Sequence, residues 1–101
     1  MLYEVLISAW IEKEFRKFPP QIRIDLLIET LKLAEELQLG EPLKGQFRAF
    51  RSFHIKPKNT QYRVVYEVLE PQQKIYLHAV GKRKNFYTWI EHMSLRPAKT
   101  A

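Results

Sequence analysis

Two residue types in this chain suit proton transfer and phosphate chemistry at neutral pH. His54 and His78 are imidazoles, with an unperturbed pKa of about 6.5 that allows a proton to be taken up and released without strong tuning. Arg48, Arg51, Arg63 and Arg83 stay charged at any relevant pH. Each presents a planar fork of donors that can grip a phosphate through two oxygens. A single histidine in a strand is more often structural than catalytic, so His54 and His78 are candidates only, and His92 is assigned no role. The histidines show no HxH or HExxH spacing, and the chain has no cysteine. Neither a thiolate site nor a recognisable histidine site for a metal is therefore expected.

The charge distribution narrows the partner. The net charge is +6 over 101 residues. Residues 1–40 hold five Lys/Arg and seven acids, a net of −2, whereas residues 41–101 hold twelve Lys/Arg and four acids, a net of +8. A field concentrated in one half of a chain raises the local concentration of polyanions, so RNA, DNA and acidic proteins all qualify, as does a merely solubilising basic surface. The length fits one domain with one core. Residues 1–10 lack the basic start of a signal peptide, and no apolar run approaches the ~20 residues that span a bilayer. The expectation is a soluble, cytoplasmic protein.

The elements that must position these groups read as follows. Residues 2–8 are short, apolar and partly β-branched, and read as a strand. Ser8 can cap a helix over residues 9–17, which Pro19 and Pro20 end. Pro20 suits the first turn of a second helix running to about Leu39, with Gly40 as its C-terminal cap. Ile24, Leu27, Ile28, Leu31, Ala34 and Leu37 give that helix an apolar stripe. Residues 47–55, 61–69 and 74–80 read as three strands joined by short, turn-rich links, hence antiparallel hairpins. In the middle strand Tyr62, Val64, Tyr66 and Val68 point one way, and Arg63, Val65, Glu67 and Leu69 the other. Phe47, Phe50 and Phe53 defy alternation, and a β-bulge would reconcile them. Residues 85–93 read as a short helix. The predicted fold is α+β, in the order βααβββα. It has a four-stranded antiparallel sheet, two N-terminal helices on one face and a more open face carrying Arg63. Residues 1–95 form a single domain, and 96–101 a flexible tail.

Three segments stand in order after the strand–helix–helix unit: Pro42-Leu43-Lys44-Gly45; then Gln61-Tyr62-Arg63-Val64-Val65-Tyr66; then Ala79-Val80-Gly81-Lys82-Arg83, leading into Phe86-Tyr87. In that order they resemble the RelE/ParE superfamily of bacterial toxins, and the resemblance covers nearly the whole chain. It implies the toxin of a type II toxin–antitoxin system. In the RelE-like branch that toxin is a metal-independent, cofactor-free endoribonuclease that cleaves mRNA in the ribosomal A site, restrained by a RelB-like antitoxin. The ParE-like branch instead implies a DNA gyrase inhibitor without nuclease activity. An inactive relative that binds only antitoxin or nucleic acid is a third reading.

The resemblance also implies roles. Arg63 matches the family's catalytic arginine in the strand motif, and Arg83 the second one, in the strand-end motif with Lys82 and Lys84 beside it, so Arg63, Arg83 and Tyr87 are the expected catalytic residues. Tyr87 matches the tyrosine near the last helix, and a longer spacing would select Trp89 instead. Arg48 and Arg51 stand where relatives place basic residues, often lysines, on the second strand, while Phe50 stands where another basic residue would be expected. Lys44 belongs to the loop motif. Arg48, Arg51, Lys82, Lys84 and Lys44 are expected to bind phosphate. Arginine hardly deprotonates, so Arg48 is a poor general base. His54 is expected to supply that base, or His78 if it shares a face with Arg63.

Overall fold

The structure is a computed structural model and describes residues 3–36, 40–56, 60–82, 84–93 and 95. The expected tail, Arg83 and the end of the second helix at residues 37–39 lie outside the described residues. Strand β1 (Glu4–Leu6) leads into helices α1 (Ala9–Arg16) and α2 (Pro20–Leu31), the latter extended by a 3₁₀ turn at Lys32–Ala34. A two-residue strand β2 (Glu41–Pro42) and a 3₁₀ turn (Gly45–Phe47) precede β3 (Arg51–Ile55), β4 (Tyr62–Leu69), β5 (Lys74–Gly81) and helix α3 (Phe86–His92).

The sheet has five strands in the order β1-β5-β4-β3-β2. It is mixed, not the four-stranded antiparallel sheet expected. β1 lies parallel to β5, while the other pairings are antiparallel. The reason is topological: α1 and α2 carry the chain from the β1 edge of the sheet to the opposite edge, and the antiparallel succession from β2 to β5 then brings the chain back beside β1 running the same way.

The local signals act as read at both ends of α1. The Ser8 hydroxyl accepts from the Ile11 N–H at 3.1 Å, and Pro20 sits in the first turn of α2. The buried face of α2 differs from the expected stripe. Ile22, Leu26, Thr30 and then Leu33 turn inward, while Ile24, Ile28 and Leu31 are 49, 53 and 58% exposed. Thr30 conceals the true stripe in the sequence, because it looks polar. Its hydroxyl donates to the Leu26 carbonyl at 2.7 Å, so burial leaves it with its bond made.

Two cores lie on either side of the sheet. One packs Ile11, Phe15, Ile22 and Leu26 of the helices against Tyr62, Val64, Tyr66, Ile75 and Leu77. The other packs Leu43, Phe47, Phe50, Phe86 and Ile90 against Val65 and Ala79. The second face is thus substantially covered by α3 and the 3₁₀ turn, not open. The phenylalanine puzzle resolves without a bulge at that point: Phe47 is in the 3₁₀ turn, and β3 begins only at Arg51. Arg48, expected on a strand, follows that turn. The irregularity lies instead in β5, where Val65 pairs with Ala79 but Tyr66 with Leu77, leaving His78 as the extra residue.

Leu26 is fully buried and Ile24 half-exposed on the same helix, which separates the two stripes experimentally. Leu26→Ala is expected to cost about 2–5 kcal/mol in denaturant unfolding, and Ile24→Ala to stay within about 0.5 kcal/mol. Equal losses would mean that both faces are packed.

Candidate active site

The register of β3 on β4 sets the site. His54 lies directly opposite Arg63, and Ser52 opposite Val65. Alternation then puts Ser52, His54, Arg63 and Val65 on the face of α3, and Arg51, Phe53 and Ile55 on the face of α1 and α2. Arg63 and His54 stand near the end of the sheet, beyond the cover that Val65 and Ala79 receive from α3. The Arg63 guanidinium rests over the Phe86 ring, 4.3 Å from its centroid. That contact buries the stem while keeping the charge available. Glu67, on the same face of β4, is buried and bonds His78 at 2.9 Å.

Arg63 and His54 open into a groove of about 640 Å³ that Glu41, Lys44, Ser52 and Tyr87 also line. Tyr87 enters from the first turn of α3, and its hydroxyl accepts from the Lys44 N–H at 3.1 Å, leaving its own O–H free to donate. Trp89, the alternative aromatic, packs instead on the backbone of Gly81, where an added Cβ would lie 3.2 Å from its ring. A second depression of about 320 Å³, lined by Asp25, Ile28 and Lys56, shares His54 and Glu29 with the groove. The groove wall at Gly40 requires a glycine, because a Cβ there would sit 2.4 Å from the Ser52 carbonyl oxygen.

His54 is exposed and titrates below the ordinary histidine value. Partial burial is the largest cause, and the Arg63 charge adds to it. Glu41 pulls the other way, and Lys56 again lowers it. The ring is therefore neutral at pH 7, the form that can accept a proton. Its Nδ1 is hydrogen-bonded to the side-chain amide of Gln61.

The structure thus brings His54, Arg63, Tyr87 and Lys44 together. Arg51 stands apart on the opposite face, where its guanidinium donates to the Gly40 carbonyl at 2.7 Å and secures the groove wall from behind. Arg48 is exposed but is not among the groove's lining residues. Lys84 is exposed just ahead of α3, and Lys82 lines a separate cavity with Glu14 and Lys17. His78 shares Arg63's face, but it is enclosed by Phe50 and Tyr76 as well as Glu67 and does not line the groove. Glu41 and Gln61 were missed in the sequence. Glu41 precedes the Pro42-Leu43-Lys44-Gly45 motif, and Gln61 opens the β4 motif, but only register shows that either faces His54. Among the described residues, no group of three or more His, Asp or Glu is placed to hold a metal, and no helix is long and apolar enough to cross a membrane.

Comparison with known proteins adds the family. Residues 5–91 match the family described as ParE-like toxin of type II bacterial toxin–antitoxin system. Curated proteins give no match. Among solved structures, a doubly substituted E. coli toxin RelE in the free state superposes with a TM-score of 0.71 at 23% identity, over 92% of this chain and 96% of that one. The toxin–antitoxin complex RelBE2 from Mycobacterium tuberculosis gives 0.69 at 21% identity, over 82% and 93%. A conserved hypothetical protein from Helicobacter pylori gives 0.54 at 25% identity, over 81% and 94%.

The electrostatics of the groove can be read on one nucleus. In an NMR titration His54 should protonate below pH 6.5, and Arg63→Gln should raise its pKa toward the ordinary value, since a like charge is removed. An unmoved pKa in a folded variant would separate the two side chains.

Proposed function

The chain belongs to the ParE-like toxins of type II bacterial toxin–antitoxin systems, and on that premise we propose that it is an endoribonuclease that cleaves mRNA on the ribosome. The observation that carries this reading is the convergence of a neutral imidazole, a guanidinium and a tyrosine hydroxyl, His54, Arg63 and Tyr87, in one groove. Those are the three functions that metal-free RNA cleavage needs.

In the reaction, the 2′-oxygen of one nucleotide attacks the adjacent phosphorus while His54 Nε2 takes its proton. Arg63 holds the non-bridging phosphate oxygens as charge builds on them, with Lys44 nearby. The bond to the 5′-oxygen breaks, and Tyr87 donates its proton to that oxygen. The products are a 2′,3′-cyclic phosphate and a free 5′-hydroxyl. The Tyr87 oxygen regains its proton from the His54 imidazolium through solvent, which resets both groups. For Nε2 to act as acceptor, Nδ1 must carry the hydrogen, so the Gln61 amide, whose Nε2 faces the ring here, must turn to present its carbonyl oxygen instead. Arg83, between Lys82 and Lys84 in the chain, is proposed as a further phosphate contact, with Arg48, Lys82 and Lys84 along the flanking strand of RNA. Arg51 is proposed to act only through the groove wall.

The partner that restrains the toxin is proposed to be a RelB-like antitoxin in the cytoplasm. RelE toxins bound to RelB antitoxin segments are the precedent. The ridge of Ile24, Ile28 and Leu31 is the surface that fits the apolar face of such a segment. Ile28 also lines the depression shared with His54, so a segment on the ridge would lie beside the groove.

Primer extension on a reporter mRNA in a reconstituted translation reaction tests the activity. New 3′ ends inside translated codons are expected, reduced roughly 10²-fold or more by Arg63→Ala and by His54→Ala. The acid limb of kcat/KM should fall below pH 6.5, because protonation of His54 removes the base only there. Intact mRNA from folded, antitoxin-free protein would point to a non-nucleolytic toxin, with gyrase inhibition as the next assay. For the partner, Ile28→Glu should weaken binding of the cognate antitoxin by roughly tenfold or more in calorimetry without changing the unfolding midpoint.

A further inference from the structure

The groove carries two carboxylates, Glu29 and Glu41, that the cleavage chemistry does not use. Negative charge opposes binding of a polyanion, so a carboxylate in such a groove calls for another role. Glu29 is accounted for by Lys32, whose ammonium lies 3.0 Å from its carboxylate. Among the described residues no lysine or arginine pairs with Glu41.

Register gives Glu41 a specific neighbour. It lies opposite Ser52 across the β2–β3 pair, and His54 is two residues further along the same face of β3. That makes Glu41 and His54 diagonal cross-strand neighbours, a separation of ~7–8 Å that a glutamate side chain can close. On its other side His54 faces Arg63 directly. The imidazole is therefore set between a carboxylate from β2 and a guanidinium from β4. Lys56 follows on its own strand, and Glu29 reaches the same groove from α2.

We propose that Glu41 is a positioning residue for His54: a counter-charge that holds the ring toward the groove and stabilises the imidazolium formed when it takes the 2′-hydroxyl proton. The pairing itself stands on register and groove geometry, and its catalytic consequence rests on the RNA-cleaving reading above. The electrostatic direction agrees, since Glu41 alone raises the His54 pKa against burial, Arg63 and Lys56. Without Glu41 the imidazolium would form between two cations, which weakens the base. Glu41 forms no bond to substrate and takes no proton in this scheme.

The test is an NMR titration of the histidine rings in the folded, antitoxin-free protein, with the His54 signal assigned by its loss in His54→Gln. Glu41→Gln is expected to lower the His54 protonation constant roughly threefold to tenfold, and Glu41→Asp to recover part of it. In the translation assay, Glu41→Gln should lower kcat, and its pH limb should move to lower pH by the same factor. KM should hold or fall, because removing a negative charge cannot weaken RNA binding. A His54 constant unchanged in Glu41→Gln would overturn the proposal. A shifted constant in a protein that cuts no RNA would leave the Glu41–His54 couple standing and remove the cleavage reading instead.

Discussion

β4 has to be buried on both faces at once, and most of the architecture follows from that requirement. Val64, Val65 and Tyr66 have no solvent exposure, so consecutive residues pointing in opposite directions both need cover. α1 and α2 supply one cover, and α3 with the 3₁₀ turn supplies the other. A polar residue within such a strand needs a particular solution. Glu67 is buried and is hydrogen-bonded by His78. That bond is possible because the extra residue in β5 turns His78 toward the α3 side together with its neighbour Ala79. Removing the Glu67 carboxylate would take this bond from the His78 ring, which costs about 1–3 kcal/mol. His78 is thus tied to the integrity of the strand, and His54 is the histidine that faces the groove.

The same burial explains where chemistry can occur. The middle of β4 is closed on both sides, so exposed functional groups must come from its end and from the neighbouring β3. Arg63 is the residue at which cover by α3 gives way to groove, and Phe86 of α3 forms the surface on which its guanidinium rests. Tyr87, the next residue of that helix, then reaches the groove while anchored to the Lys44 backbone. One helix therefore closes a core with Phe86 and Ile90 and furnishes the site with Tyr87. Mutations meant to probe the site from α3 need an independent measure of folding for this reason.

Legibility in the sequence followed the physical range of each signal. Strands β4 and β5, the Ser8 cap, the Pro20 start and α3 depend on alternation, capping and proline chemistry confined to a few residues, and all were readable. The parallel pairing of β1 was not, because a three-residue strand encodes neither its partner nor its direction. β2 has two residues and leaves no periodic trace. The stripe of α2 was misread because that helix is apolar on more than one side and Thr30 belongs to the buried one. For the site, the residue types His54, Arg63 and Tyr87 were legible from chemistry and family resemblance together. Their shared groove, the turning of Arg51 to the other face and the approach of Glu41 are consequences of register, which no single strand states.

The misread stripe has a functional meaning of its own. A helix with apolar side chains on both faces exceeds what a single core requires, and Ile24, Ile28 and Leu31 remain outside it. These residues, half-exposed in a row along α2, form an apolar ridge that the core does not cover. Their position is informative: Ile28 borders the depression that contains His54, and Glu29, the next residue, borders both that depression and the groove. A partner attracted to the ridge by burial of apolar surface is thereby brought within one side chain of the imidazole. On the proposed reading, an antitoxin segment seated on the ridge would lie beside the groove. On that reading the groove keeps its mixed charges, Lys44 and Arg63 with Glu29 and Glu41, without also being shaped to bind the inhibitor.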